Sequence, residues 1–185
     1  MKVTVIWSTP NTDGLTAATK NSVIKGLKKN NAEVTEFHIN KMNIAHCRAC
    51  GNGFGICREK GYCILNDDFD KIHQEILSSD GVIFVSAVYW SDMTEQMKIF
   101  TDRLRRCETL SGRRLENKKC LIIACAGGSG NGTIECLTSM ERLIKHMGMS
   151  AYDRIPVVRF NREYMLPAIE KAGEAFVKAF ETNFR

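Results

Sequence analysis

Residues 3–16 read Val3-Thr-Val-Ile-Trp7 followed by Ser8-Thr-Pro-Asn-Thr-Asp-Gly-Leu-Thr16. An apolar, β-branched run gives way to small polar turn formers, and a helix-compatible sequence opens at Leu15, which reads as strand, loop and helix N-terminus. The unpaired N–H groups of a first helical turn and the positive end of the helix dipole favour an anion. Ser8, Thr9, Asn11, Thr12 and Thr16 can each donate a hydrogen bond to one. The loop has neither the lysine of a nucleotide-hydrolase P-loop nor the glycine triplet of a dinucleotide fingerprint, so a mononucleotide phosphate suits it best. Taken alone, the loop reads equally well as the capped start of a helix with no ligand.

Outward from that loop, strands and helices alternate. Leu15 to Asn30 has helical apolar spacing with a polar stop at Asn30-Asn31, and Val34 to Ile39 alternates like a strand, with His38 an ordinary strand residue. Asp67 or Asp68 can cap a helix running to about Ser79, and Gly81-Val-Ile-Phe-Val-Ser86 is a continuous apolar strand suited to the centre of a parallel sheet. Ala87 to Met93 reads as a loop, and Thr94 to Cys107 as a helix. Lys119 to Cys125 is another buried strand, Ala126 to Gly132 a flexible loop, and Thr133 to Met147 a helix that Gly148 closes. Ile155 to Val158 gives a fifth strand and Tyr164 to Phe180 a last helix. Five strands alternating with five helices predict an α/β, doubly wound parallel sheet, here taken in the order 2-1-3-4-5. The loops after strands one, three and four then converge at the carboxyl edge, at the switch point.

The 185 residues suit one domain spanning 1–185, with a cysteine-rich insertion at about 41–66. No stretch has the length of a membrane span and Met1-Lys2-Val3 leads into a strand, so the expectation is a cytoplasmic protein without a membrane or signal segment. A net charge of +5 is modest. The run Arg103, Arg105, Arg106, Arg113, Arg114, Lys118 and Lys119 reads as a solvated helix face and loop, not as a nucleic-acid surface.

The first loop, the stretch Ser86-Ala-Val-Tyr-Trp-Ser-Asp-Met93 with the following Gln96 to Arg103, and Ala126-Gly-Gly-Ser129 together resemble the flavodoxin-like NAD(P)H-dependent FMN reductases and the related iron-sulfur flavoproteins. The resemblance covers most of the chain. It implies that Ser8, Pro10, Asn11, Thr12, Asp13, Gly14, Leu15 and Thr16 hold the FMN phosphate. It likewise implies that Ala87, Val88, Tyr89, Trp90, Ser91 and Met93, with Ala126, Gly127, Gly128 and Ser129, contact the isoalloxazine. NAD(P)H is the implied hydride donor, and a quinone, nitro compound, flavin or protein is the acceptor. No side chain stands out as a catalytic acid or base, since the flavin carries the chemistry. Two positions depart from the family: Ala87 stands where proline is common, and a basic residue near Asn11 is absent. Phosphate binding then falls to hydroxyls and backbone N–H groups, with Asp13 turned away or capping the helix. The resemblance also implies a homodimer or homotetramer in which a neighbouring subunit closes the flavin face, with Tyr89, Trp90 and Met93 exposed for that contact.

Four of the eight cysteines fall in the pattern Cys47-x2-Cys50-x6-Cys57-x5-Cys63. Four soft thiolates in one glycine-rich segment can wrap a metal centre, and a connection this long is uncommon unless it does something. Iron-sulfur flavoproteins carry their third cysteine close behind the second, where this chain has Gly53. A 4Fe-4S cluster, zinc and free thiols all remain open, as do an electron carrier or redox sensor with little nicotinamide turnover and a zinc-stapled binding module. Cys107, Cys120, Cys125 and Cys136 read as buried packing residues. Cys107-x5-Arg113 imitates a phosphatase signature, but it follows a helix and Glu108 would repel a phosphate there.

Overall fold

The computed structural model describes residues 1–110 and 112–181. Five parallel strands, β1 (Lys2–Ser8), β2 (Glu33–His38), β3 (Gly81–Tyr89), β5 (Lys119–Ala126) and β6 (Ser150–Val158), lie in the order β2-β1-β3-β5-β6. A two-residue strand, β4 (Asp92–Met93), folds back antiparallel on the end of β3. The order expected for the five alternating strands is therefore the order found, with β4 added to it. The helices are α1 (Leu15–Lys29), α2 (Ile56–Lys60), α3 (Phe69–Ser78), α4 (Glu95–Glu108), α5 (Thr133–His146) and α6 (Arg162–Glu181). None is long and apolar enough to cross a membrane, among the described residues.

Strand alternation sorts the core into two layers. Val3, Val5 and Trp7 of β1, Ile83 and Val85 of β3, and Leu121 and Ile123 of β5 pack under α1 and α6 against Val23, Leu27 and Phe176. Ile6, Phe84 and Ile122 face the other way, onto Ile72 and Ile76 of α3, Phe100 and Leu104 of α4, and Met140 of α5. The central strand β3 is buried from Gly81 to Ser86, so its apolar run has no polar alternation.

Helices α1 and α6 meet backbone to backbone. A Cβ placed on Gly26 would lie 1.9 Å from the Glu170 carbonyl oxygen, and one on Gly173 would lie 2.5 Å from that of Val23. Three local features differ from the sequence reading. β6 begins at Ser150, five residues before Ile155, because this edge strand has one largely exposed side and Ser150 to Arg154 carry no apolar run. The stretch 87–93, expected as a loop, is a tight hairpin of β3 and β4. The short helix α2 interrupts the cysteine segment.

Candidate functional site

Ser8 sits opposite Ser86 in the β1–β3 ladder, so the loops after these strands leave the sheet together. Ser8 is buried: its hydroxyl donates to Asn40 Oδ1 at 2.8 Å and bonds the Thr94 hydroxyl, while the Thr94 N–H donates to Ser86 Oγ at 3.1 Å. The Ser8 side chain thus ties the loop root to its neighbours. Pro10, Asn11, Thr12 and Asp13 are exposed, Gly14 and Leu15 half-buried, and Thr16 buried. Helix α1 opens after Gly14 with no side-chain cap and no acidic residue in its first turn. Asp13 does not cap it, so its first N–H groups have no side-chain acceptor at the cap.

One contributor to this loop escaped the sequence reading. His38 Nε2 lies 2.8 Å from the Thr9 carbonyl, a geometry in which the ring N–H donates, and the ring stacks on Trp7 at 3.7 Å between centroids and 9° between planes. Trp7 Nε1 in turn donates to Glu36 Oε1 at 2.9 Å, and Lys20 Nζ pairs with the same carboxylate at 2.8 Å. His38 ends β2 and faces Trp7 across the ladder, so the topology, once known, would have placed it at this edge.

The second and third loops come together. Trp90 and Ser91 turn the β3–β4 hairpin with φ of 48° and 64°, a left-handed conformation uncommon for any side chain and rarer for a bulky one. A Cβ on Gly132 would stand 2.8 Å from Ser91 Cα, so only glycine allows the third loop to press against this turn. Between them lies a crevice of about 430 Å³ lined by Val88, Trp90 and Ser91 and by Ala126, Gly127, Gly128, Ser129, Gly130 and Asn131. That volume lies within the range of small-molecule and cofactor sites. Ala87 and Tyr89 belong to the same strand end without lining the crevice. Met93 was expected to be exposed, but the hairpin folds it back into the core, where its sulfur accepts the Thr101 hydroxyl at 3.6 Å. Trp90 is fully exposed at the rim.

The four clustered cysteines, all free and half-buried, line a second, smaller cavity of about 30 Å³ with Arg48, Arg103 and Arg106. Among the described residues no three His, Cys, Asp or Glu side chains stand together as a ready ligand set, so the thiols share a cavity without converging in it. Their donor chemistry still fits a thiolate-held metal. His46 is exposed in a neighbouring groove beside Cys47.

The basic run is only in part the solvated surface expected from sequence: Arg113 and Arg114 are exposed, but the other members are buried or half-buried. Arg103 is buried and grips Asp67 with both terminal nitrogens, at 2.6 and 2.9 Å. Arg106 and Arg114 donate to the carbonyls of Gly53 and Gly61, and Lys118 to those of Ile76 and Leu77 at 2.7 and 3.1 Å. Cys107, Cys120, Cys125 and Cys136 are buried as expected, and burial pushes the thiols of Cys107, Cys125 and Cys136 up to about 12. Glu108, next to Cys107, is enclosed with His73 Nε2 at 2.6 Å, which leaves no phosphatase-like site.

The sequence pattern described as "NADPH-dependent FMN reductase" matches residues 1–160. An iron-sulfur flavoprotein of Methanosarcina thermophila is 30% identical over 152 residues, covering 80% of this chain and 75% of that one. Another, from Archaeoglobus fulgidus, is 35% identical over 104 residues, and the match spans 56% of this chain and about half, 46%, of its relative's length. Among solved structures, the NAD(P)H:quinone oxidoreductase from Methanothermobacter marburgensis superposes with a TM-score of 0.73 at 19% identity, over 95% of this chain and 96% of that one. A flavodoxin from the domain Archaea does so at 0.62 and 15% identity, over 96% and 99%. At such identities the structural likeness speaks for the fold.

Proposed function

The chain belongs to the family of NADPH-dependent FMN reductases and iron-sulfur flavoproteins, and from that premise we propose that it is an FMN-dependent oxidoreductase drawing hydride from NADH or NADPH. The observation that carries this reading is the crevice formed by the β3–β4 hairpin and the loop after β5, at the same carboxyl edge of the sheet as the uncapped start of α1. Bound there, FMN would supply the redox chemistry, taking up hydride and passing electrons to a quinone, nitro compound, flavin or protein. The residues do the rest. Asn11, Thr12, Thr16 and the first N–H groups of α1 bind the phosphate, with His38 and Asn40 fixing the loop root. Val88, Trp90 and Ser91 flank one part of the ring site, and Ala126, Gly127, Gly128 and Ser129 the other, with glycines leaving backbone close to the ligand. Calorimetric titration with FMN and absorbance assays of NADH and NADPH oxidation test the proposal. Absence of FMN binding together with absence of turnover overturns it.

The cysteine cavity supports a second reading, an electron carrier or redox sensor that turns over nicotinamide poorly. Cys47, Cys50, Cys57 and Cys63 would hold a cluster or a zinc ion, of which only the cluster adds electron transfer. Anaerobic stopped-flow separates the two readings. Prompt flavin reduction by NAD(P)H favours the enzyme, and reduction by a low-potential protein donor alone favours the carrier. Metal, acid-labile sulfide and flavin analysis of anaerobically purified protein decides between cluster, zinc and free thiols. The open crevice with Trp90 and Tyr89 at its edge also suits a homodimer or homotetramer whose neighbour covers the ring site. Light scattering showing a monomer at micromolar concentration with FMN bound would remove that element.

A further inference from the structure

We propose that Arg103 is the positioning residue of a metal centre in the cysteine segment, with its Nε–H reserved as hydrogen-bond donor to a metal-bound Cys63 sulfur. The inference rests on reading the four clustered cysteines as ligands. Arg103 is 1% exposed, and its terminal nitrogens are committed: Nη1 donates to the Ala45 carbonyl at 2.9 Å and to Asp67 Oδ2 at 2.6 Å, and Nη2 to Asp67 Oδ1 at 2.9 Å. The guanidinium carbon stands 4.2 Å from the centre of the Phe69 ring. This bidentate, stacked seating prevents the group from turning to find other partners.

One edge of the guanidinium is left over. Among the described residues Arg103 Nε is buried and makes no hydrogen bond of normal geometry, while Arg103 lines the same cavity as the four thiols and has Cys63 as its neighbour there. A buried N–H is rarely left without an acceptor, and where one is, a missing ion or ligand is a standard cause. A neutral thiol accepts weakly, whereas a metal-bound thiolate carries the negative charge that makes a charge-assisted bond. Asp67 already balances the charge of Arg103, so its distinctive contribution is the directed N–H. Arg48 and Arg106 in the cavity wall offset the net negative charge of a tetrathiolate centre.

The backbone is pinned for the same purpose. Arg103, Arg106 and Arg114 hold the carbonyls of Ala45, Gly53 and Gly61 in turn. Cys47 and Cys50 fall in the first interval, Cys57 in the second, and Cys63 between Gly61 and the Asp67 that Arg103 grips. Arg103, Arg106 and Arg114, from α4 and the turn after it, therefore fix the path of the segment, leaving the thiol side chains to close on a metal.

The test uses the whole protein made metal-free under reducing, anaerobic conditions. Wild type and Arg103→Lys are titrated with Co2+, followed by the thiolate-to-cobalt charge-transfer band, with FMN affinity as the control for folding. Wild type is expected to bind Co2+ with a tetrathiolate spectrum. Arg103→Lys is expected to bind it roughly 10- to 100-fold more weakly, with the band moved to lower energy and FMN affinity unchanged. Equal affinity and an unmoved band would overturn the proposal. In case the variant fails to fold, 113Cd-substituted wild type gives a second readout: through-hydrogen-bond coupling between 113Cd and the Arg103 Nε proton is expected, and its absence overturns the assignment. A wild type that takes neither Co2+ nor Cd2+ removes the ligand reading itself, a result distinct from metal binding that ignores Arg103.

Discussion

Asp67 shows how much one residue holds in place. It accepts from Arg103, from the Ala45 N–H at 2.9 Å and from the Phe69 N–H at 3.2 Å, joining the end of the cysteine segment to the start of α3 and to α4. Burial pushes its pKa up, but the hydrogen bonds from Arg103 and the two backbone N–H groups, with the guanidinium charge, outweigh that and hold it below the ordinary value of 3.8. Because the unfolded chain then takes up the proton first, this stabilisation is complete above about pH 4 and is lost as pH falls through the lower folded value. Hydrogen exchange is expected to show residues 43–69 losing protection below about pH 4 before the sheet does. At the other edge, His38→Ala removes the hydrogen bond to the Thr9 carbonyl, worth about 1 kcal/mol, along with the ring stacked on Trp7. FMN affinity is expected to fall roughly fivefold with riboflavin affinity unchanged, since only FMN uses the phosphate loop; equal losses for both would contradict that role. Among the cysteines, Cys47, Cys50, Cys57 and Cys63 of the metal-free protein are expected to react quickly with a thiol reagent. The four buried thiols should react only on unfolding, because burial keeps them protonated.

Among the elements, those with apolar runs and clear punctuation were legible in the sequence. The turn formers after Trp7 marked the end of β1, and the β3 and β5 runs announced central parallel strands. The misses have physical causes. β4 is two residues long, too short for a period, and its turn uses Trp90 and Ser91 where glycine or asparagine would have signalled a hairpin. The start of β6 is an edge whose exposed face accepts polar residues. The contact of α1 with α6 depends on two glycines that sequence alone would count as helix weakeners. Gly26→Ala forces a methyl into the Glu170 carbonyl, so the helices must separate. A loss of about 3 kcal/mol is expected, lowering Tm by roughly 6–12 °C in a domain of this size, with FMN affinity per folded molecule intact. Calorimetry showing no shift in Tm would refute the close crossing.

At the scale of the whole molecule, the order of strands was enough to bring the second and third loops to one crevice, because that follows from topology. The residues that fix the first loop and the cysteine segment were not legible. Arg103 reaches Asp67 across 36 positions and His38 reaches Thr9 across 29, and pairs so far apart leave no periodic trace in a single sequence. The same blindness hid that three arginines of the basic run, Arg103, Arg106 and Arg114, hold the cysteine segment. The sheet edge also sets the two tryptophans in opposite surroundings: Trp7 is buried in its stack with His38, and Trp90 stands fully in water on the hairpin. The protein therefore carries its own pair of optical gauges. Trp90 should emit at long wavelength and yield freely to acrylamide, while Trp7 emits to the blue and is shielded. Filling the crevice should dim the red component first, and a neighbouring subunit seated over the hairpin should shelter it from the quencher, so one emission spectrum reports ligand and assembly separately.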